Sequence, residues 1–193
     1  GLGNTADAIR ACTYAKQMRD LWETAPVHTK GANIRVLNAS FAGAASTQSF
    51  IDSLSALNNA GILFVAAAGN TTEDGTREPD SDLVPTFPAS FNIPNVIAVA
   101  ATDQSDALAN SFSHFGATSV DLAAPGDTVL STTPHCSDPG PPPKPCQPDF
   151  SDPNGDTYTF FSGTSMSAPH VSGAAALLWA QNPNLTVAQV KSL

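Results

Sequence analysis

Gly163-Thr164-Ser165-Met166-Ser167-Ala168-Pro169-His170-Val171 separates two patterns. Before it, Thr157-Tyr158-Thr159-Phe160-Phe161 is β-branched and aromatic, the composition of a strand. After it, Gly173 to Ala180 is apolar and alanine-rich and closes at Asn182-Pro183, the ending of a helix. Ser165 therefore stands at a strand-to-helix junction, where unpaired N–H groups and the helix dipole favour negative charge. A hydroxyl placed there reads as a nucleophile, provided that a neighbouring base takes its proton and a carboxylate orients that base.

Working outward, Ile34–Ser40, Ile62–Ala68, Val96–Thr102 and Val120–Ala124 are short apolar runs of the kind buried on both faces of a parallel sheet. Helical spacing lies between them. Thr5 to about Trp22 carries Ala8, Ile9, Cys12 and Ala15, and Thr47 to Ala60 carries Phe50, Ile51, Leu54 and Leu57, with Gly61 placed to stop the second helix. A last helix begins near Thr186. This alternation predicts an α/β sandwich with right-handed crossovers and sites at the carboxyl ends of the strands. With 193 residues and no linker or internal repeat, residues 1–193 read as one domain.

Gly163 to Val171 resembles the serine signature of the subtilisin-like proteases. So, in the order that family shows, do Val36-Leu37-Asn38-Ala39-Ser40-Phe41-Ala42-Gly43, Ala66-Ala67-Ala68-Gly69-Asn70, Phe87-Pro88-Ala89-Ser90 and Val120-Asp121-Leu122-Ala123-Ala124-Pro125-Gly126. The resemblance covers most of the chain. It implies a three-layer, mostly parallel α/β fold that enters the family pattern downstream of the catalytic histidine and is thus incomplete at its N-terminus. It also implies a serine endopeptidase in which Ser165 is acylated, while the Asn70 amide and the Ser165 N–H stabilise the oxyanion. Substrate peptide would pair along Ser40, Phe41, Ala42 and Gly43 as an added strand, although Ala42 stands where the family usually has glycine. Small uncharged walls at Ala67, Ala68 and Gly69 would favour an apolar side chain before the scissile bond. Pro88 falls where the family often has a cis proline.

The upstream Asp-x-Gly and His-Gly-Thr motifs of that family do not occur here. His170 lies about 140° around the helix axis from Ser165 and matches a structural position. His28, followed by Thr29 and near Pro26, Lys30 and Gly31, belongs to a surface loop; His114 sits in Phe-Ser-His-Phe-Gly and His135 in a proline-rich insertion. None inherits the role of base, and Asp121 matches a structural acid. Two readings follow. Either the chain is the later part of an endopeptidase whose Asp and His come from upstream, or, taken alone, it is an inactive fragment that at most binds peptide.

The net charge of −9, with Lys and Arg scattered singly, argues against nucleic acid as a partner. No run is long and apolar enough for a membrane span, and no signal peptide is present in the chain. Cys136 and Cys146 bracket a polar, proline-rich stretch within an insertion near 134–156 and read as a disulfide closing that loop, which would imply an oxidising, secreted setting. Cys12 reads as a buried free thiol. The chemistry requires no cofactor. Structural calcium is not indicated: Asp152, Asn154 and Asp156 space three oxygens like a calcium loop but lack its glutamate, so a solvated turn is the reading, and 73–82 is a solvated acidic loop. Strands missing before Gly1 would leave an apolar edge or face bare, predicting self-association or recruitment of the missing N-terminal segment.

Overall fold

The computed structural model describes residues 4–43, 45–71, 79–133, 150–151 and 157–193. Helix α1 (Thr5–Thr24) starts where the Asn4 side chain accepts from the Asp7 N–H at 3.0 Å. Strand β1 (Val36–Ala39), helix α2 (Gln48–Asn59), strands β2 (Leu63–Ala67), β3 (Val96–Thr102) and β4 (Leu122–Pro125) follow. They form one parallel sheet in the order β1-β2-β3-β4. Thr47 caps α2 by accepting from the Phe50 N–H, and Gly61, at φ +69°, turns the chain out of the helix as its sequence position predicts.

Alternation along the strands sorts the core into two layers. Phe64, Ala66, Val96 and Ala98 point toward α1 and α2, where they meet Cys12, Ala15, Phe50, Leu54 and Leu57. Leu63, Val65, Ala67, Ile97 and Val99 point the other way. There they meet helix α3 (Thr164–Gln181) through Ala168, Ala175 and Trp179, and helix α4 (Val187–Ser192) through Val187 and Val190. Helix, sheet and helix thus make the three layers that the apolar runs predict, because a strand buried on both faces must find a partner for each. Phe50 seats edge-on against Phe64 and Phe91. The Phe87–Pro88 peptide beside them is cis.

The boundaries of β4 differ from the expected Val120–Ala124. Asp121 is instead an anchor: its carboxylate accepts the Ala98 N–H at 2.8 Å and pairs with Lys191 of α4 at 2.8 Å. A second sheet is antiparallel, ordered β5-β7-β6, from β5 (Val129–Thr133), β6 (Phe150–Ser151) and β7 (Thr157–Phe161). Of its strands, the sequence pattern predicts only β7. The acidic stretch 73–82 and the insertion 134–156 fall largely outside the described residues, as do His135, Cys136, Cys146 and the Asp152–Asp156 oxygens.

Cys12 is a free, buried thiol, and desolvation pushes it up to about 11 against the opposing hydrogen bond to Ser53. At neutral pH it stays protonated and shielded, so a thiol reagent should modify Cys12 only as the chain unfolds. Peptide mapping after brief alkylation in native buffer and in denaturant checks this; modification at equal rates in both would contradict the burial.

Asp82 behaves in the opposite way. Hydrogen bonding from Ser119 and Thr118, including both N–H groups and the Thr118 hydroxyl, holds its carboxylate down to about 2 against desolvation. A carboxylate depressed on folding adds stability that is fully present above its unfolded value near 4 and is lost as pH falls through about 2. Urea unfolding from pH 6 to pH 2 should therefore steepen below about pH 4, and Asp82→Asn should flatten that part of the profile.

Candidate active site

The loop that enters α3 is fixed before the helix begins. The Gly163 N–H donates to the Gly126 carbonyl at 2.8 Å, and the Ser162 hydroxyl donates to Asp127 at 2.6 Å. A Cβ on Gly126 would lie 2.1 Å from the Ser167 hydroxyl oxygen and 2.9 Å from the Gly163 carbonyl oxygen. Ala124-Pro125-Gly126 thus ends in glycine because the first turn of α3 rests directly on it.

Helix α3 has no side-chain cap of its own, so its leading N–H groups look outward. Asn70, just beyond β2, takes one of them. Its Oδ1 accepts the Thr164 N–H and the Thr164 hydroxyl, both at 3.0 Å, while that hydroxyl accepts the Gly69 N–H at 3.2 Å. Because the Thr164 N–H can only donate, Oδ1 must face it and Nδ2 must point away. The loop is held from behind by an antiparallel bridge between Asn70 and Ser113 and by the His114 N–H donating to the Gly69 carbonyl at 3.0 Å. His114 is buried beneath it, with Nδ1 3.2 Å from the Thr86 hydroxyl. A Cβ on Gly69 would come within 2.8 Å of that nitrogen.

Two nitrogens flank Gly163. A Cβ built on Gly163 would sit 3.2 Å from Asn70 Nδ2 and 3.8 Å from the Ser165 nitrogen. The absence of a side chain there leaves a gap beside both nitrogens, with Met166 Sδ also 3.8 Å away. Gly163 also has φ +152° and ψ 157°, a region essentially reserved for glycine. Gly163→Ala is accordingly expected to destabilise the fold by about 1–3 kcal/mol, readable as a lower denaturation midpoint at unchanged m-value; an unshifted midpoint would show that the backbone relaxes freely.

Ser165 is half-buried and its hydroxyl donates to the Ser40 carbonyl at 3.2 Å. Ser40 returns a bond, its hydroxyl donating to the Ser165 carbonyl at 2.7 Å. Phe41, Ala42 and Gly43 continue from there along an exposed rim. Ala68 and Gly69 are buried at the end of β2, so that side of the cleft offers backbone rather than side chains. Among the described residues, no imidazole is bonded to the Ser165 hydroxyl. His170 is exposed and donates from Nδ1 to the Met166 carbonyl at 2.8 Å, and His28 stacks on Trp22 at 4.4 Å. Nor does any group of three His, Cys, Asp or Glu among those residues come together to hold a metal.

A depression of about 330 Å³ beside Ser165 was not foreseen. Leu130, Phe161, Met166, Pro169 and His170 line it. Its signal lay in the facing alternation of 129–133 and 157–161, which becomes legible only when the two are known to pair.

A parallel sheet covered by helices on both faces, with a serine at a helix N-terminus and an amide across from it, places the chain among α/β proteins. The family comparison agrees: the subtilase family matches residues 3–193. The thermostable alkaline protease of Halalkalibacterium halodurans is 33% identical over 159 residues, 82% of this chain and 35% of that protein. Subtilisin DY of Bacillus licheniformis is 34% identical over 157 residues, 81% of this chain and 47% of that protein. A solved structure of a cold adapted subtilisin-like serine proteinase superposes with a TM-score of 0.69 at 27% identity, covering 100% of this chain and 54% of that one. The chain belongs to the subtilase family of serine proteases. It spans 35% and 47% of the length of those two curated relatives.

Proposed function

We propose that Ser165 is the nucleophile of an endopeptidase that hydrolyses peptide bonds through an acyl-enzyme. The observation that carries the reading is the gap at Gly163, where Asn70 Nδ2 and the Ser165 nitrogen lie 3.2 and 3.8 Å from the place a Cβ would take. A carbonyl oxygen that settles between these two nitrogens as Ser165 attacks its carbon would draw on both as donors while it gains charge. Peptide lies along Ser40 to Gly43, and the walls at Ala68 and Gly69 favour an apolar residue before the scissile bond. The chemistry uses side chains and backbone amides and draws on no cofactor. The enzyme works in an oxidising, extracellular setting, as the reading of Cys136 and Cys146 implies. No helix among the described residues is long and apolar enough to cross a membrane.

The base and its orienting carboxylate come from outside the described residues. In the chain alone the Ser165 proton rests on the Ser40 carbonyl, which cannot remove it at neutral pH. This supports the second reading, in which the isolated chain binds peptide without turning it over. Leu177 of α3, 74% exposed, and the edge of β1, unpaired among the described residues, are where further polypeptide or a second copy would pack.

A fluorophosphonate tests the assignment. Slow labelling that maps to Ser165 and vanishes in Ser165→Ala is the expected result. Labelling at another residue would overturn the choice of nucleophile, and fast labelling of the chain alone would overturn the account of the base.

A further inference from the structure

In an α-helix each carbonyl accepts the N–H of the residue four positions on. For Ser165 that residue is Pro169, which has no N–H to give. The carbonyl of the residue carrying the nucleophilic hydroxyl is therefore deprived of its helix partner by the sequence itself. The Ser40 hydroxyl lies 2.7 Å from it.

That contact dictates the protons of its neighbours. A carbonyl only accepts, so Ser40 must donate, and its oxygen is then left to accept. The side chain of Asn38, 2.9 Å from the Ser40 hydroxyl oxygen, must face it with Nδ2. Oδ1 of Asn38 is thereby turned to the Ser172 hydroxyl at 3.1 Å, on the next turns of α3. Ser172 also stands 3.1 Å from the Ala168 carbonyl, so it has two acceptors for its one proton. An exposed asparagine in a parallel strand, where the pattern calls for an apolar residue, thus finds its use at the helix.

We propose that Asn38 and Ser40 are positioning residues for Ser165. The Ser40 hydroxyl replaces the hydrogen bond that Pro169 withholds, and the Asn38 amide fixes the direction in which that hydroxyl points. Together with the Ser165 hydroxyl donating back to the Ser40 carbonyl, the two serines hold each other at two points. This role of Ser40 belongs to its side chain and is separate from the main-chain pairing proposed for peptide. Its chemical meaning rests on Ser165 being the nucleophile; its geometry does not.

The test reads the Ser165 carbonyl carbon by NMR in the labelled chain, through the Met166 amide. Ser40→Ala is expected to shift that carbon upfield as it loses a donor, and Ser40→Thr to restore it. Asn38→Asp, which keeps shape but offers only acceptors, should draw the Ser40 proton away and produce the same upfield shift. It serves as the second variant should Ser40→Ala fail to fold. In a Pro169→Ala background, where residue 169 regains its N–H, Ser40→Ala should no longer move the carbon. An unmoved carbonyl in Ser40→Ala and Asn38→Asp, or a shift that persists undiminished in Pro169→Ala, overturns the proposal. In a form that turns over substrate, Ser40→Ala should lower kcat roughly tenfold with KM within about twofold. The carbonyl behaving as described while Ser165 resists every acylating probe would leave the positioning intact and sink the nucleophile.

Discussion

Mixed with a polypeptide that carries the family's Asp-x-Gly and His-Gly-Thr motifs, this chain is expected to gain up to about 10⁶ in turnover of a peptide substrate, a magnitude belonging to subtilisin itself and carried over to this relative. The physical reason is proton transfer. A serine hydroxyl attacks a carbonyl only as its proton leaves, and the partner that it has here, the Ser40 carbonyl at 3.2 Å, is a far weaker base than an imidazole. An imidazole within reach of the hydroxyl, oriented by a carboxylate, removes that barrier without altering the two donors across the gap. The gain should vanish with Ser165→Ala and when the histidine of the added polypeptide is replaced by alanine. Should the chain alone match the mixture, the base lies within its own residues. His170 would be the first to replace, since it shares the depression beside Ser165.

The same serine shows how far sequence reasoning reaches. Its place at a strand-to-helix junction was legible because Thr157–Phe161 and Gly173–Ala180 differ in composition, and β7 and α3 fall there. Likewise β2 and β3 were plain because every residue of Ile62–Ala68, and nearly every one of Val96–Thr102, is buried, and a strand covered on both faces leaves an unbroken apolar run. Strand β5 escaped notice for the opposite reason. Val129-Leu130-Ser131-Thr132-Thr133 is half-polar, and its stability comes from pairing with β7 across a long insertion, which local pattern does not encode. Asp121 lies within the Val120–Gly126 motif, yet its bond to Ala98 and its pairing with Lys191 depend on where β3 and α4 come to lie.

For the site itself, the strand-to-helix junction singled out Ser165 and the family resemblance added Asn70 and Ser40, and the fold brings Asn70 against Thr164 and Ser40 against Ser165. What sequence reasoning passed over was the support: His114 under Gly69, Gly126 under the first turn of α3, and Asn38 behind Ser40. Contacts between segments distant in the chain leave little local trace. One trace was readable. Ser165 and Pro169 stand one helical bond apart, so the missing donor follows from spacing alone.

Replacing Asn70 by aspartate is expected to lower turnover of the complemented enzyme by at least about 10²–10³, a figure that is again subtilisin's own, while leaving the fold as stable as before. The two halves of that result separate the two things the side chain does. Its Oδ1 ties the loop to the helix by accepting from Thr164 twice, and a carboxylate preserves both bonds. A carboxylate is also favourable at a helix N-terminus, so the denaturation midpoint should hold or rise. What aspartate removes is Nδ2, the donor that faces the gap at Gly163, and in its place stands a second acceptor that repels negative charge developing there. Asn70→Ala is the less informative change because it loses tether and donor together, and a drop in its activity has two explanations. If Asn70 served only to hold the loop, the aspartate form would keep its turnover and the alanine form would lose it. Activity falling in both, with stability falling in alanine alone, is the pattern that an electrostatic role at the transition state requires.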